Sequence, residues 1–208
     1  MARTSLTAAI EEVAGRDPVV AHLVELVGPI KFRPRNPNGH FGALVRSIVF
    51  QQLAGAAANA IHQRVVAAVG DELTPESLAR APDDALRAAG LSANKLASLR
   101  DLSAKVLDGT VVLNDSARVT DDEIIARLVT VRGIGRWTAE MFLMFQLQRP
   151  DVWPVDDYGI RKGFAAIHDL PAPPTPKALE ALGEIYRPYR STAAWYCWRA
   201  VDTLLPQA

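Results

Sequence analysis

The sequence predicts an all-α protein, and three observations carry that prediction. Apolar residues recur at spacings of three and four through almost every segment. Residues that open and close helices stand where the periodic runs begin and end. The single β-like stretch, "TVVLND" at 110–115, is short and has no partner run, so it reads as loop.

The elements follow in order. From Phe41, the positions Leu44, Val45, Ile48 and Val49 mark one helical face. The run 56–70 continues the pattern through Ile61, Val65 and Val69 and stops at Gly70, which suits a C-terminal cap. Thr74 before Pro75 is an N-cap followed by proline at the first helical position, and that segment closes at Gly90. A helix from Ser92 carries Leu96, Leu99, Leu102 and Val106 and ends at Gly109. Thr120 and Glu123 form a capping box for a helix through Ile124, Ile125 and Leu128. Further helices run over about 137–146, from Thr175–Pro176 to about 186, and through Trp195, Trp198 and Val201. Proline- and glycine-rich loops lie at 33–40, 148–159 and 170–176. The first two border a central helical lobe over 40–147, which leaves 1–39 and 148–208 for a second lobe.

Composition excludes several classes. With 208 residues and 49% hydrophobic content the chain can bury a sizeable core, and 22% charge is ordinary. Its one cysteine, Cys197, allows neither an internal disulfide nor a cysteine-based zinc or iron–sulfur site, and suits a reducing compartment. The histidines His22, His40, His62 and His168 lack metal-ligand spacing and read as structural or surface residues. No signal-peptide run and no membrane-length apolar run is present. The expectation is a soluble monomer, cytoplasmic at a bacterial nucleoid or nuclear, and not secreted. Net charge is zero, so any nucleic-acid reading rests on local charge.

Such local charge stands at "VRGIGRWTAE", 131–140. A capped helix runs into this turn and another leaves it. Gly133 and Gly135 permit backbone angles closed to other residues and remove side chains that would keep a ligand away. Unpaired amides at the start of the second helix make an anion site, and Arg132 and Arg136 flank it around the apolar Ile134. A DNA phosphate is the natural ligand. On the residues alone, a plain connector using glycine for a tight turn remains the alternative.

The stretches "LVTVRGIGRWTAEMFLMF" and "DVWPVDDYGIRKGF", with "ALVRSIVFQQLAGAAANAI", "GLSANKLASLRDLSAKV" and "YRPYRSTAAWYCW", resemble the helix-hairpin-helix DNA glycosylases. The likeness extends over most of the chain and is strongest to the alkylation-repair branch, 3-methyladenine DNA glycosylase II, in a compact form without an N-terminal β domain. The resemblance implies a bilobed all-α fold with a cleft between the lobes, duplex DNA containing alkylated bases as partner, and no organic cofactor. It also implies that backbone carbonyls of the hairpin can hold a monovalent cation against the phosphate.

Asp156 and Asp157 follow Gly135 by 21 and 22 residues. Breaking an N-glycosidic bond develops positive charge on the sugar, and a nearby carboxylate stabilises it and can orient water. One carboxylate suffices when the leaving base is already cationic. The alternative is an aspartate that merely caps the next helix. The resemblance assigns the catalytic role to Asp157 and leaves Asp156 to cap. It further implies no lyase activity, because strand-cutting members carry lysine where this chain has Trp137, and Lys162 is the nearest lysine in sequence.

A flipped cationic purine is held well by aromatic faces. Trp137 and Met141 lie one helical turn apart, and the resemblance adds Trp198 to the pocket; on periodicity alone Trp198 reads as core. Met141 stands where the bacterial relative has tyrosine. By resemblance Leu53 is the wedge filling the vacated stack, with Gln51 and Gln52 touching bases or sugars. Ala54 replaces the serine usual after the wedge. From the residues alone, 51–53 are an exposed helix end. Arg161 and Lys162 suit either phosphate or a solvated face. The expected function is a monofunctional glycosylase for alkylated purines. The alternatives are a non-catalytic damage-binding module and a glycosylase for deaminated purines.

Overall fold

The computed structural model describes residues 5–31, 34–70, 72–115 and 118–205; Arg33 of the expected 33–40 loop lies outside them. Every regular element among these residues is helical. The helices are α1 (Leu6–Arg16), α2 (Pro18–Val27), α3 (Gly39–Phe50), α4 (Gly55–Val69), α5 (Pro75–Arg80), α6 (Asp83–Ala88), α7 (Ala93–Leu107), α8 (Asp121–Leu128), α9 (Arg136–Met141), α10 (Tyr158–Ile167), α11 (Pro176–Leu182) and α12 (Arg190–Leu204). A π-helical turn (Phe142–Leu147) continues α9, and a 3-10 turn (Gly183–Tyr186) continues α11. No described helix is long and apolar enough to cross a membrane.

Local chemistry explains the helix starts. The hydroxyls of Thr74, Ser92, Thr120 and Thr175 accept the backbone N–H three residues on, and Glu123 reaches back to the Thr120 N–H at 2.8 Å. The stretch 110–115 is irregular, as its lack of a partner run predicts.

Two segments depart from the periodic reading. The segment 74–90 is two helices, because Ala81 before Pro82 is extended (φ −61°, ψ 135°) where proline disfavours the helical region. The helix expected over 137–146 starts at Arg136 and becomes π-helical at Phe142. The wider turn coincides with an inward Gln146, whose Oε1 accepts the Asn36 N–H at 2.9 Å and whose Nε2 lies 3.2 Å from His40 Nδ1.

The chain divides into two compact units, residues 1–33 with 148–208, and residues 34–147. The first packs α10 and α12 against each other, with α1 and α2 beside α12, over a core of Val13, Val20, Leu23, Phe164 and Tyr196. A Cβ on Gly163 would lie 1.8 Å from the Cys197 carbonyl oxygen, so glycine is what lets α10 and α12 approach. Buried Arg190 grips Asp151 through Nε at 2.8 Å and Nη2 at 3.1 Å, and Tyr186 donates to buried Asp17. The second unit packs α3, α5 and the π turn around α7 and its neighbours. Its core holds Leu44, Ile48, Leu78, Leu99, Leu102 and Leu128.

Candidate nucleic-acid interface and catalytic carboxylate

In the second unit, the hairpin lies between α8 and α9, seated on α7. Gly133 is left-handed (φ +77°), and a Cβ there would stand 2.6 Å from Ser98 Oγ. Both conformation and space therefore demand glycine. Gly135 differs from expectation. It is extended (φ −91°, ψ 173°), a conformation open to any residue, and a Cβ there would meet open space. Its missing side chain matters only to what approaches from outside. The amides of Gly133 and Gly135 have no acceptor among the described residues, and both glycines are exposed at the start of α9. Exposed, unpaired amides at a helix start suit an anion.

Ile134, expected within the DNA-binding turn, is 3% exposed, and its N–H donates to the Val131 carbonyl at 3.0 Å. Its apolar side chain anchors the turn in the core, where burial is favourable, so any part it takes in binding falls to its backbone. Arg132 and Arg136 are exposed on either side. The Arg136 Nε donates to buried Glu140 at 2.9 Å.

Asp101 of α7 secures the turn: its Oδ2 accepts the Arg132 backbone N–H at 2.7 Å and the Lys105 ammonium at 2.8 Å. Burial works to raise the Asp101 carboxyl, but these donors outweigh it and hold the group below its usual range. The Lys105 ammonium also donates to the Thr130 carbonyl. So a lysine does reach the hairpin in space, though none is close in sequence. It is held by an ion pair and a carbonyl, unlike a free amine poised for attack.

The turn leaves the carbonyls of Val129, Arg132 and Ile134 without a protein donor among the described residues. The carbonyls of Thr130, Val131 and Gly133 already receive protein donors, and one of these donors is the Lys105 ammonium.

The turn expected to carry the wedge joins α3 to α4. Gln52 is left-handed (φ 56°), unusual for a residue with a Cβ, and Leu53 is exposed beside it. Gln51, expected to touch DNA, turns its amide nitrogen to the Gly133 carbonyl at 2.8 Å, so wedge turn and hairpin are joined. Ala54 stands at the N-cap of α4 with no side-chain cap. Trp137 is exposed on the first turn of α9, and Met141, half-buried, stands one turn on.

In the first unit, Asp157 caps α10: its Oδ1 accepts the Ile160 N–H at 2.9 Å. This corrects the expectation that Asp156 caps. Asp156 is exposed in the preceding turn, one residue too early to reach that amide. The same Oδ1 accepts the Trp198 indole N–H at 3.0 Å. Trp198 is partly buried beside the carboxylate, so its ring packs on the unit without being sealed in the core. Two donors on one oxygen set the plane of the carboxylate.

Gly159 makes this pairing possible, and sequence reasoning passes over it. A Cβ there would lie 3.0 Å from both Asp157 Oδ1 and Trp198 Cδ1. Arg161 Nε donates to the Pro174 carbonyl at 2.7 Å, so its guanidinium braces a loop.

With this geometry in hand, known proteins offer a comparison. Residues 45–188 match the family described as HhH-GPD superfamily base excision DNA repair protein. The chain is 39% identical over 202 residues to DNA-3-methyladenine glycosylase 1 of Schizosaccharomyces pombe, covering 94% of this chain and 88% of that one. A solved structure of the 3-methyladenine DNA glycosylase of that yeast, in complex with abasic DNA, superposes with a TM-score of 0.81 at 36% identity over 97% of this chain and all of the other. A DNA-3-methyladenine glycosidase from Bacillus halodurans gives 0.86 at 35% identity over 94% and 90%.

Proposed function

Because the chain belongs to the HhH-GPD superfamily of base excision DNA repair proteins, we propose that it is a monofunctional DNA glycosylase of the 3-methyladenine type. It releases alkylated purines from duplex DNA by hydrolysis and leaves an abasic site. The observation that carries this reading is the Asp157 carboxylate, oriented by the Ile160 N–H and the Trp198 indole.

The reading assigns each part a task. The Gly133 and Gly135 amides, with Arg132 and Arg136, hold a backbone phosphate. Leu53 fills the gap left by the flipped nucleotide. Trp137 with Met141, and separately Trp198 beside the carboxylate, are each soft or aromatic surface of the kind that holds a cationic purine. Alkylation has already made the base a leaving group, so no proton donor is required. Asp157 stabilises the positive charge that grows on the sugar as the bond breaks, and water completes the substitution. Without a free lysine at position 137 no Schiff base forms and the strand stays intact. Such an enzyme works where chromosomal DNA is, in a bacterial nucleoid or a nucleus.

The test is single-turnover base release from duplexes bearing 3-methyladenine, 7-methylguanine, 1-methyladenine or hypoxanthine. Wild type is expected to release an alkylated purine. Asp157→Asn should lose about a hundredfold or more in rate with binding intact, the scale of one lost electrostatic contact to the transition state, while Asp156→Asn keeps its rate. Loss confined to Asp156→Asn would move the chemistry to the other aspartate. No release from any lesion, with duplex still bound, would make the chain a binding module.

A further inference from the structure

Helix α7 carries a polar edge that the core does not use. Asn94, Ser98, Asp101 and Lys105 recur at spacings of four, three and four, which places them on one face. Each meets the hairpin: Asn94 Oδ1 accepts from Arg132 Nη2 at 3.4 Å, Ser98 underlies Gly133, Asp101 holds the Arg132 N–H, and Lys105 holds the Thr130 carbonyl. Beside this edge, Lys95 turns the other way. Its ammonium donates to the carbonyls of Val49 at 2.7 Å and Gln51 at 2.8 Å, at the C-terminal end of α3. That end carries the negative pole of the helix and carbonyls without a helical partner. The next residue is Gln52, held left-handed, and then Leu53. Gln51 closes the circuit through its side chain to Gly133.

We propose that Lys95 is the positioning residue of the wedge: by clamping the last carbonyls of α3 to α7 it holds Gln52 and Leu53 in register with the phosphate-binding hairpin seated on the same helix. This rests on the glycosylase reading above. The Lys95 bonds fall on the Val49 and Gln51 carbonyls, so the effect passes through the backbone of 49–52. Burial lowers the Lys95 pKa, as expected for an ammonium drawn away from water toward carbonyls. A conformer unusual for a non-glycine residue is strained and persists only where its surroundings over-determine it. The two carbonyl contacts of Lys95 are part of those surroundings, with the Leu53 N–H on the Phe50 carbonyl at 3.3 Å and the Gln51 side-chain amide on the Gly133 carbonyl.

The test compares wild type, Lys95→Met, Lys95→Arg, Leu53→Ala and the Lys95→Met/Leu53→Ala double variant. Binding is measured on an intact duplex and on one carrying an abasic-site analogue beside 2-aminopurine, whose fluorescence reports insertion into the stack. Their affinity ratio cancels the general loss of one positive charge. Lys95→Met is expected to lower that ratio about tenfold, the scale of one charge-assisted hydrogen bond, and to blunt the fluorescence change. The double variant should fall no further than Leu53→Ala alone, and Lys95→Arg should stay within about threefold of wild type. Hydrogen exchange adds a reading that needs no DNA. In Lys95→Met, the Leu53 amide, which donates to the Phe50 carbonyl at 3.3 Å, should exchange faster than in wild type. An unchanged ratio in Lys95→Met, a full additive loss in the double variant, or unchanged exchange overturns the proposal. If wild type prefers neither duplex and Leu53→Ala changes nothing, the wedge assignment within the glycosylase reading falls first, and this inference with it.

Discussion

The Trp198 indole N–H and the Asp157 carboxylate are hydrogen-bonded at 3.0 Å across 41 positions of sequence, on the oxygen that also caps α10. The carboxylate therefore has a structural task and a proposed chemical one. Trp198→Phe keeps an aromatic ring and removes the donor. Base release under single-turnover conditions should fall about tenfold, a loss appropriate to a hydrogen bond to a charged group. Gly159→Ala should act in the same direction, since its Cβ would press on both partners. Wild-type rates in both variants would show that this bond does not set the carboxylate's position.

The crossing of α10 and α12 leaves no room at Gly163, where an added Cβ would fall 1.8 Å from the Cys197 carbonyl. Gly163→Ala should destabilise the protein by about 1–3 kcal/mol, the usual cost of overpacking. A urea midpoint unchanged from wild type would mean that the two helices can part at little cost.

Ala54 leaves the N-terminus of α4 without a side-chain acceptor. Ala54→Ser should stabilise by about 1 kcal/mol, the common worth of an N-cap, and raise the thermal midpoint. A drop in midpoint would show that the backbone of the wedge turn cannot accommodate the cap.

Stability should fall on mild acidification. Burial, reinforced by Arg46, lowers His62 below its usual 6.5; burial, reinforced by Arg35, does the same for His40. Below about pH 6.5 the unfolded chain then binds more protons than the folded one. The contribution of the neutral rings is present above that pH and is lost as pH falls toward the folded-state values. Urea midpoints at pH 7 and 5.5 should show a smaller loss for the His40→Gln/His62→Gln double variant than for wild type. An equal loss would assign the acid sensitivity to other groups.

What sequence could and could not show follows from how far apart the deciding residues lie. The helix starts at Ser92 and Thr120 are legible because a cap and its amide sit within one turn. The break at Pro82 is equally local, and apolar periodicity alone runs across it. The π turn is not local: Gln146 has partners at Asn36 and His40, more than a hundred positions away. At the site, Gly133 reads correctly as an obligatory glycine, whereas Gly135 reads the same and is extended. The polar edge of α7 was available as spacing, yet its meaning depends on a hairpin about thirty residues downstream. Gly159 offers no signal at all until Trp198 is placed against it.

The buried Ile134 has a kinetic consequence. A flexible glycine loop would have to be ordered when it meets a phosphate, at roughly 1–2 kcal/mol of lost backbone entropy per residue. Here the side chain between the two glycines is already sealed in the core, and the turn is fixed before any ligand arrives. Glycine thus supplies shape without looseness. Encounter with DNA becomes docking of a preformed surface, so association does not wait on ordering of the turn.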